Sequence, residues 1–212
     1  MIKILIADDH AVVRRGLKQI LTEESDMAVF GEARNAREVL KNVREQDWDI
    51  VILDITMPGR SGLDVLKELK RVRPKLPVLV LSMHPEDQYA VRVLKAGAAG
   101  YMTKESAPKE LVKAVRKVLG GGKYVSPSLA EKLAFDLETE TDSEKPLHET
   151  LSDREYQVMC MIASGKAVKG IAKELYLSVK TISTYRARIL KKMKMKTSAE
   201  LTHYAIKNRL VD

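Results

Sequence analysis

Three short apolar runs in this chain end in groups that a buried strand does not tolerate unaided. Ile4-Leu5-Ile6-Ala7 runs into Asp8-Asp9, Ile50-Val51-Ile52-Leu53 into Asp54, and Val78-Leu79-Val80-Leu81 into Ser82. Near-continuous apolar runs of this length fit strands covered on both faces. An acid at the exit of such a strand is costly unless something uses it. Weaker apolar runs lie at 27–31 and 99–102, and helical patterns fall at about 11–23, 35–45, 61–72, 86–95 and 107–119. Five strands alternating with five helices predict an α/β, doubly wound parallel sheet. The unbroken runs belong at its centre, and the thinner 99–102 run at an edge.

In such sheets ligands bind at the carboxyl ends of the strands, where strand order reverses. With the order 2-1-3-4-5, strands 1 and 3 are neighbours at that switch, and Asp8, Asp9 and Asp54 converge. Three carboxylates so close repel one another unless a cation is present. All-oxygen ligation with water suits Mg²⁺, or Mn²⁺ in its place. Ser82 ends the fourth run, and Lys104 follows the fifth in Gly100-Tyr101-Met102-Thr103-Lys104. A hydroxyl and an ammonium at the same crevice suit the oxygens of a phosphoryl group. Taken singly, each acid reads as a turn residue and Lys104 as a surface lysine. Their coincidence at matching strand ends gives them weight.

The remainder of the chain has a different character. With 212 residues the sequence suits two domains. Residues 1–120 carry 21 basic and 17 acidic side chains, residues 121–149 carry 3 and 7, and residues 150–212 carry 13 and 5. The last segment therefore holds +8 in a short stretch, the footprint of a nucleic-acid binder. Gly120-Gly121-Gly122 stops the fifth helix, a short helix is expected from Ser128 to Leu137, and Glu138 to Pro146 is polar and acidic. The expected division is an α/β domain at 1–120, a linker at 121–149 and a helical domain at 150–212. The contrast of −4 beside +8 implies that the acidic stretch 136–149 weakly shields the basic domain.

Beyond the linker the pattern is all helical. Ser152-Asp153-Arg154-Glu155 is a capping box flanked by the staple pair Leu151 and Tyr156. Gly165 is placed to end that helix, a short helix follows from about Val168 to Leu175, and Ser178 caps a third. Val179, Ile182, Ile189 and Met193 form the expected inward stripe of the third helix, and Thr197 opens a fourth with Leu201, Ala205 and Ile206 expected inward. A small four-helix domain with a tight turn, Tyr176-Leu177-Ser178, before a Lys/Arg-rich helix is a helix-turn-helix. On its outer face Ser183, Thr184 and Ala187 are positioned to read base edges or thymine methyls. Lys180, Arg186, Arg188, Lys191 and Lys192 are positioned to hold phosphates.

Asp-Asp after strand 1, Asp54-Ile55-Thr56-Met57-Pro58-Gly59-Arg60-Ser61-Gly62 after strand 3, Ser82, and Tyr101-x-x-Lys104 together resemble a two-component receiver domain. Leu151 to Glu155, Ile171 to Leu175 and Ser178 to Met193 resemble a LuxR-type output domain. The combination is similar to the NarL/FixJ subfamily of response regulators. The resemblance implies that Asp54 accepts a phosphoryl group from a histidine kinase. It implies that Asp9, Asp54 and the Thr56 carbonyl ligate the metal, with Asp8 acting through bound water. Ser82 and Lys104 would bind phosphoryl oxygens, and Tyr101 would be an aromatic switch. Thr56 and His84 flank the expected water approach and are expected to tune hydrolysis. The implied outcome is a homodimer on promoter DNA, dimerised through the fourth helix, with RNA polymerase as a further partner to consider. Three departures stand out: Glu105 in place of the commoner Pro, Ser82 in place of the commoner Thr, which keeps the hydroxyl, and Gly170 in place of a polar residue before Ile171-Ala172.

The rival readings are weaker. An aspartyl-nucleophile phosphatase carries Asp-x-Asp directly after strand 1, and here the nucleophile follows strand 3. A nucleotide-binding enzyme needs a Gly-rich loop where Asp8-Asp9-His10-Ala11 stands. A receiver-like regulator that ignores phosphate has no use for the full set of acid, hydroxyl and lysine. The expectation is thus a regulator rather than an enzyme. The single cysteine, Cys160, sits in an apolar helical run and reads as a buried small hydrophobe. No apolar stretch approaches membrane-spanning length and no signal peptide is expected, which together point to a bacterial cytoplasm.

Overall fold

The computed structural model describes residues 1–57, 60–83, 86–139, 146–208 and 210–211. The chain divides into two compact units, Met1–Lys132 and Leu133–Asp212. The first contains β1 (Ile2–Ala7), α1 (Ala11–Thr22), β2 (Met27–Ala33), α2 (Ala36–Glu45), β3 (Ile50–Asp54), α3 (Gly62–Val72), β4 (Val78–Ser82), α4 (Glu86–Lys95), β5 (Gly100–Thr103) and α5 (Ala107–Leu119). The sheet is wholly parallel, as the alternating periodicities predict, and its order is β2-β1-β3-β4-β5. The three unbroken apolar runs are its centre, and the two weak runs are its edges.

Alternation along the strands fills both faces. Ile4, Ile6, Ile50, Ile52, Leu79 and Leu81 pack with Leu17 and Leu21 of α1 and with Leu111 and Val115 of α5. Leu5, Val51, Leu53 and Val80 point the other way and are equally buried. Each such side chain contributes roughly 2 kcal/mol on leaving water, which fixes the register strongly. That register carries the strand ends into line. Ala7 lies opposite Leu53, so Asp8 follows level with Asp54, and Ser82 lies opposite Thr103.

The open side of β5 is covered. Tyr124 forms an isolated parallel bridge with Gly100, donating its amide to the Ala99 carbonyl and accepting from Tyr101. An edge strand left bare invites pairing with other chains. The expected short helix from Ser128 to Leu137 is α6 (Pro127–Thr139), which extends two residues into the polar stretch. Residues 140–145 of the acidic linker lie outside the described residues.

The second unit is helical: a 3₁₀ turn at Leu147–Thr150, then α7 (Asp153–Ala163), α8 (Val168–Glu174), α9 (Val179–Lys192) and α10 (Ser198–Lys207). The capping box forms as read, with Ser152 accepting from the Glu155 amide and Glu155 from the Ser152 amide. Gly165 takes φ +79° and ends the first helix. Ile182, Ile189 and Met193 are core, and Cys160 is buried. Val179 is not core. It is 45% exposed at the first position of α9, and Ile206 of α10, also expected to face inward, is 53% exposed. No helix among the described residues is long and apolar enough to cross a membrane.

Gly170 lies exposed within α8, and a Cβ built on it meets nothing within 4 Å. The Gly170→Ala variant should therefore be more stable by about 0.5–1 kcal/mol, since alanine loses less chain entropy in a helix. Urea unfolding followed by circular dichroism measures this. A neutral or destabilising result would mean that α8 holds a strained backbone.

Candidate functional site

Asp54 and Asp8 are each 1% exposed, at the exits of β3 and β1. Lys104, one residue beyond β5, reaches across the sheet end between them. Its Nζ stands 2.7 Å from Asp54 Oδ2 and 2.6 Å from Asp8 Oδ2. The Lys104 amide also donates to the Ser82 carbonyl, which fixes the start of that reach. The other Asp54 oxygen, Oδ1, accepts from the Thr56 amide at 2.8 Å. Burial pushes the Asp54 carboxyl above the ordinary carboxylate range; Lys104 opposes the shift and Asp8 adds to it. Burial works to lower Lys104, but Asp54 and Asp8 outweigh it and hold the ammonium above its ordinary value.

Three carboxylates and one ammonium leave two negative charges in a nearly closed place. Asp8, Asp9, Asp54 and His10 each offer a ligand atom, all within 4.8 Å of one another. Among the described residues, Thr56 Oγ1 is a buried oxygen with no hydrogen-bond partner, and Asp9 Oδ1 and Asp8 Oδ2 each have a charged or ring nitrogen nearby, His10 Nδ1 and Lys104 Nζ, but no directed hydrogen bond. Orphaned oxygens beside excess negative charge fit a hard divalent cation.

Residues outside the predicted set hold this arrangement. Arg14 of α1 is 5% exposed; its Nη1 donates to the Asp8 carbonyl at 2.8 Å and its Nε pairs with Glu32 at 3.0 Å. His10 donates its amide to Asp8 Oδ1 at 2.8 Å, and its Nδ1 lies 3.1 Å from Asp9 Oδ1. Gly62, the first residue of α3, donates to the Ile55 carbonyl, and a Cβ there would stand 2.3 Å from Ile55 Cα and 2.7 Å from the Asp54 carbonyl. Only glycine lets α3 start so close to the β3 exit. Sequence reasoning missed Arg14 as a support. The signal was present, since Arg14, Leu17 and Leu21 share the buried stripe of α1.

Ser82 and Tyr101 are fully buried. Burial raises the Tyr101 phenol well above its ordinary value, opposed by a hydrogen bond with Ser82 and reinforced by nearby Glu86. The hydroxyl at the end of β4 is thus hydrogen-bonded to the phenol group of Tyr101 on β5. His84, expected beside the water approach, lies outside the described residues, as do Pro58 and Gly59.

On the second unit, Lys180, Ser183, Thr184, Ala187, Arg188 and Lys191 of α9 are exposed, as read from the sequence. Arg186 is half-buried, with Nε donating to Ser198 Oγ at 2.8 Å. Lys192 pairs with Glu155 Oε2 at 2.6 Å. Both therefore serve the packing of α9 on its neighbours as well as adding charge. Burial pushes the Glu155 carboxyl up, but Lys192 and the Ser152 amide outweigh it and hold it below its usual 4.5.

With this geometry in place, comparison with known proteins adds three findings. Residues 4–116 match the response regulator receiver domain family, and residues 149–205 match the bacterial regulatory proteins of the luxR family. The chain is 39% identical to the response regulator GacA of Pseudomonas aeruginosa over 212 residues, 100% of this chain and 99% of that protein. It is 37% identical to the response regulator UvrY of Escherichia coli, over 99% and 96%. Among solved structures, RcsB of Salmonella enterica serovar Typhimurium, bound to promoter rprA in the presence of the phosphomimetic BeF₃⁻, matches with TM-score 0.65 and 28% identity over 96% of this chain and 98% of that one.

Two outcomes follow from the geometry. Gly62→Ala should destabilise the first unit by about 1–3 kcal/mol through overpacking against the β3 exit, read by urea unfolding with Trp48, the sole tryptophan, as the probe. Unchanged stability would show that α3 can shift freely. For Glu155, a depressed folded-state pKa gives stability that is full above 4.5 and is lost as pH falls through the folded value. Lys192→Met should cost about 1 kcal/mol at pH 7, discounted because Lys192 is partly exposed, and less at pH 3.5. Equal loss at both pH values, by circular dichroism, would remove the ion pair from the account.

Proposed function

Since the chain belongs to the two-component response regulators, with a receiver domain joined to a LuxR-type DNA-binding domain, we propose that Asp54 is the residue through which phosphorylation controls its binding to DNA. The chain is a DNA-binding transcriptional regulator and not an enzyme. The observation that carries the reading of Asp54 is its burial at the switch point with Lys104 Nζ at 2.7 Å.

In this reading an Asp54 oxygen attacks phosphorus in a phosphohistidine of the kinase. The P–N bond breaks, the histidine leaves with the bonding pair, and Asp54 becomes an acyl phosphate. Mg²⁺, or Mn²⁺, would be held by Asp9, Asp54 and the Thr56 carbonyl, with Asp8 acting through water, and supplies charge neutralisation for the phosphoryl oxygens. Lys104 already reaches Asp54, so a phosphoryl oxygen need only take the place that Oδ2 holds now. The Ser82 hydroxyl, exchanging its contact with Tyr101 for one with phosphate, frees the ring to repack. Thr56, with its unpaired buried hydroxyl, stands where it tunes hydrolysis.

Phosphate then shifts an existing equilibrium toward a DNA-competent dimer. Solved RcsB structures with DNA, including two RcsB dimers on two parallel DNAs, support DNA and a dimer as the partners. A dimer formed through α10 sets two α9 helices about one helical turn of DNA apart, ~34–36 Å. Lys180, Arg188 and Lys191 supply phosphate contacts, so affinity falls steeply with salt. The setting is the bacterial cytoplasm, with a histidine kinase upstream.

Footprinting of promoter DNA with and without a small phosphodonor, for wild type and Asp54→Ala, tests this. The donor should extend protection at least tenfold lower in protein concentration for wild type, about 1.4 kcal/mol of coupling, and do nothing for Asp54→Ala. Equal protection in all four samples refutes control through Asp54.

A further inference from the structure

The first turn of α9 differs from the expected stripe in a way that bears on which DNA it reads. Val179 is 45% exposed and follows the capping residue Ser178, whose side chain accepts from the Thr181 amide at 3.0 Å. At about 100° per residue, Val179, Ser183 and Ala187 succeed one another along one line of the helix, with Lys180 and Thr184 beside them. All five are exposed.

The two hydroxyls on this face have spent their protons. Ser183 Oγ donates to the Val179 carbonyl at 2.9 Å, and Thr184 Oγ1 donates to the Lys180 carbonyl at 3.0 Å. A hydroxyl has one proton, so each now offers only acceptor lone pairs. What the face presents is an isopropyl group, two methyls from Ala187 and Thr184, two acceptors, and one donor, Lys180. In the major groove the matching partners are the thymine methyl and the amino groups of adenine and cytosine, while Lys180 goes to phosphate.

We propose that Val179 is a specificity-determining residue, its isopropyl group packing on the 5-methyl of a thymine in each half-site. The proposal rests on the DNA-binding reading above and sharpens it. Val179 completes an apolar line with Ala187, and the acceptors of Ser183 and Thr184 lie beside that line. Around it, exposed Lys180, Arg188 and Lys191 supply the charge that draws this face, rather than a bare apolar patch, to the phosphate backbone.

The test uses the full chain with a small phosphodonor. A duplex is enriched from a random pool, footprinted, and each protected thymine is replaced singly by deoxyuridine, which removes only the methyl. Affinities are measured for wild type and Val179→Ala. The alanine variant favours the helix intrinsically, so folding is not at risk. One replacement per half-site should weaken wild type about fourfold, the effect of one buried methyl group, and leave Val179→Ala unchanged, since the two losses are of one contact. If every replacement acts alike on both proteins, Val179 reads no methyl and the proposal is overturned. If no duplex is enriched at all, DNA recognition itself fails and takes the proposal with it.

Discussion

Three carboxylates meet at the carboxyl edge of one sheet, and a single ammonium is what the described residues set against them. Everything else about the first unit follows from keeping that unequal meeting in place. Lys104 touches two of the acids at 2.6 and 2.7 Å, so it must enter from β5 across β4. The entry works because β4 and β5 hold register with Ser82 opposite Thr103, and because the Lys104 amide is tied to the Ser82 carbonyl. Were that register slipped by one residue, the lysine would turn to the other face and the acids would lose their counter-charge. The apolar alternation of the central strands is thus what positions the charged site.

The supports are of two physical kinds. Arg14 is a buried cation satisfied by the Asp8 carbonyl and Glu32, so it clamps the β1 exit to β2 and tolerates little movement. Gly62 is a steric allowance, letting α3 rest against the β3 exit where a methyl group would strike backbone. On the other side, Ser82 joins the site to Tyr101, and Glu86 is close enough to act on the same phenol. Glu86 in turn accepts from Ser126 at the entrance to α6, while Tyr124 borders β5 and hydrogen bonds Glu110. Hydrogen bonds thus run from Asp54 through Lys104 and Ser82 to Tyr101, and Glu86 separately holds Ser126 beside the entrance to α6.

Legibility in the sequence followed periodicity. The three central strands and the acids that end them were readable because long apolar runs and the groups ending them are local signals, whereas the strand order entered as a premise taken from doubly wound sheets. The capping box Ser152 to Glu155, a four-residue pattern, is an equally local signal. Three features were not readable in that way. Val179 matched the spacing of a core stripe, but spacing says nothing of whether a partner covers the first turn of a helix. Arg14 sat in an apolar stripe, and its meaning lay in a carbonyl of another element. Lys192 counted as one more basic residue near DNA until its ammonium was found on Glu155, 37 positions away.

That last point changes how the net charge of the second unit acts. A count of +8 for residues 150–212 treats every cation as available to phosphate. Lys166 pairs with Glu174, Lys192 with Glu155, and Arg186 gives one of its donors to Ser198. These charges still contribute to the long-range field that steers association, yet moving them onto phosphate means breaking bonds that hold the helices together. On the outer arc of α9, Lys180, Arg188 and Lys191 are exposed and surround small side chains. Few cations around a face of methyls and acceptors is an arrangement in which phosphate contacts set position and the short side chains set sequence. Recognition by such a helix depends less on how much positive charge the domain holds than on which side chains the packing leaves free.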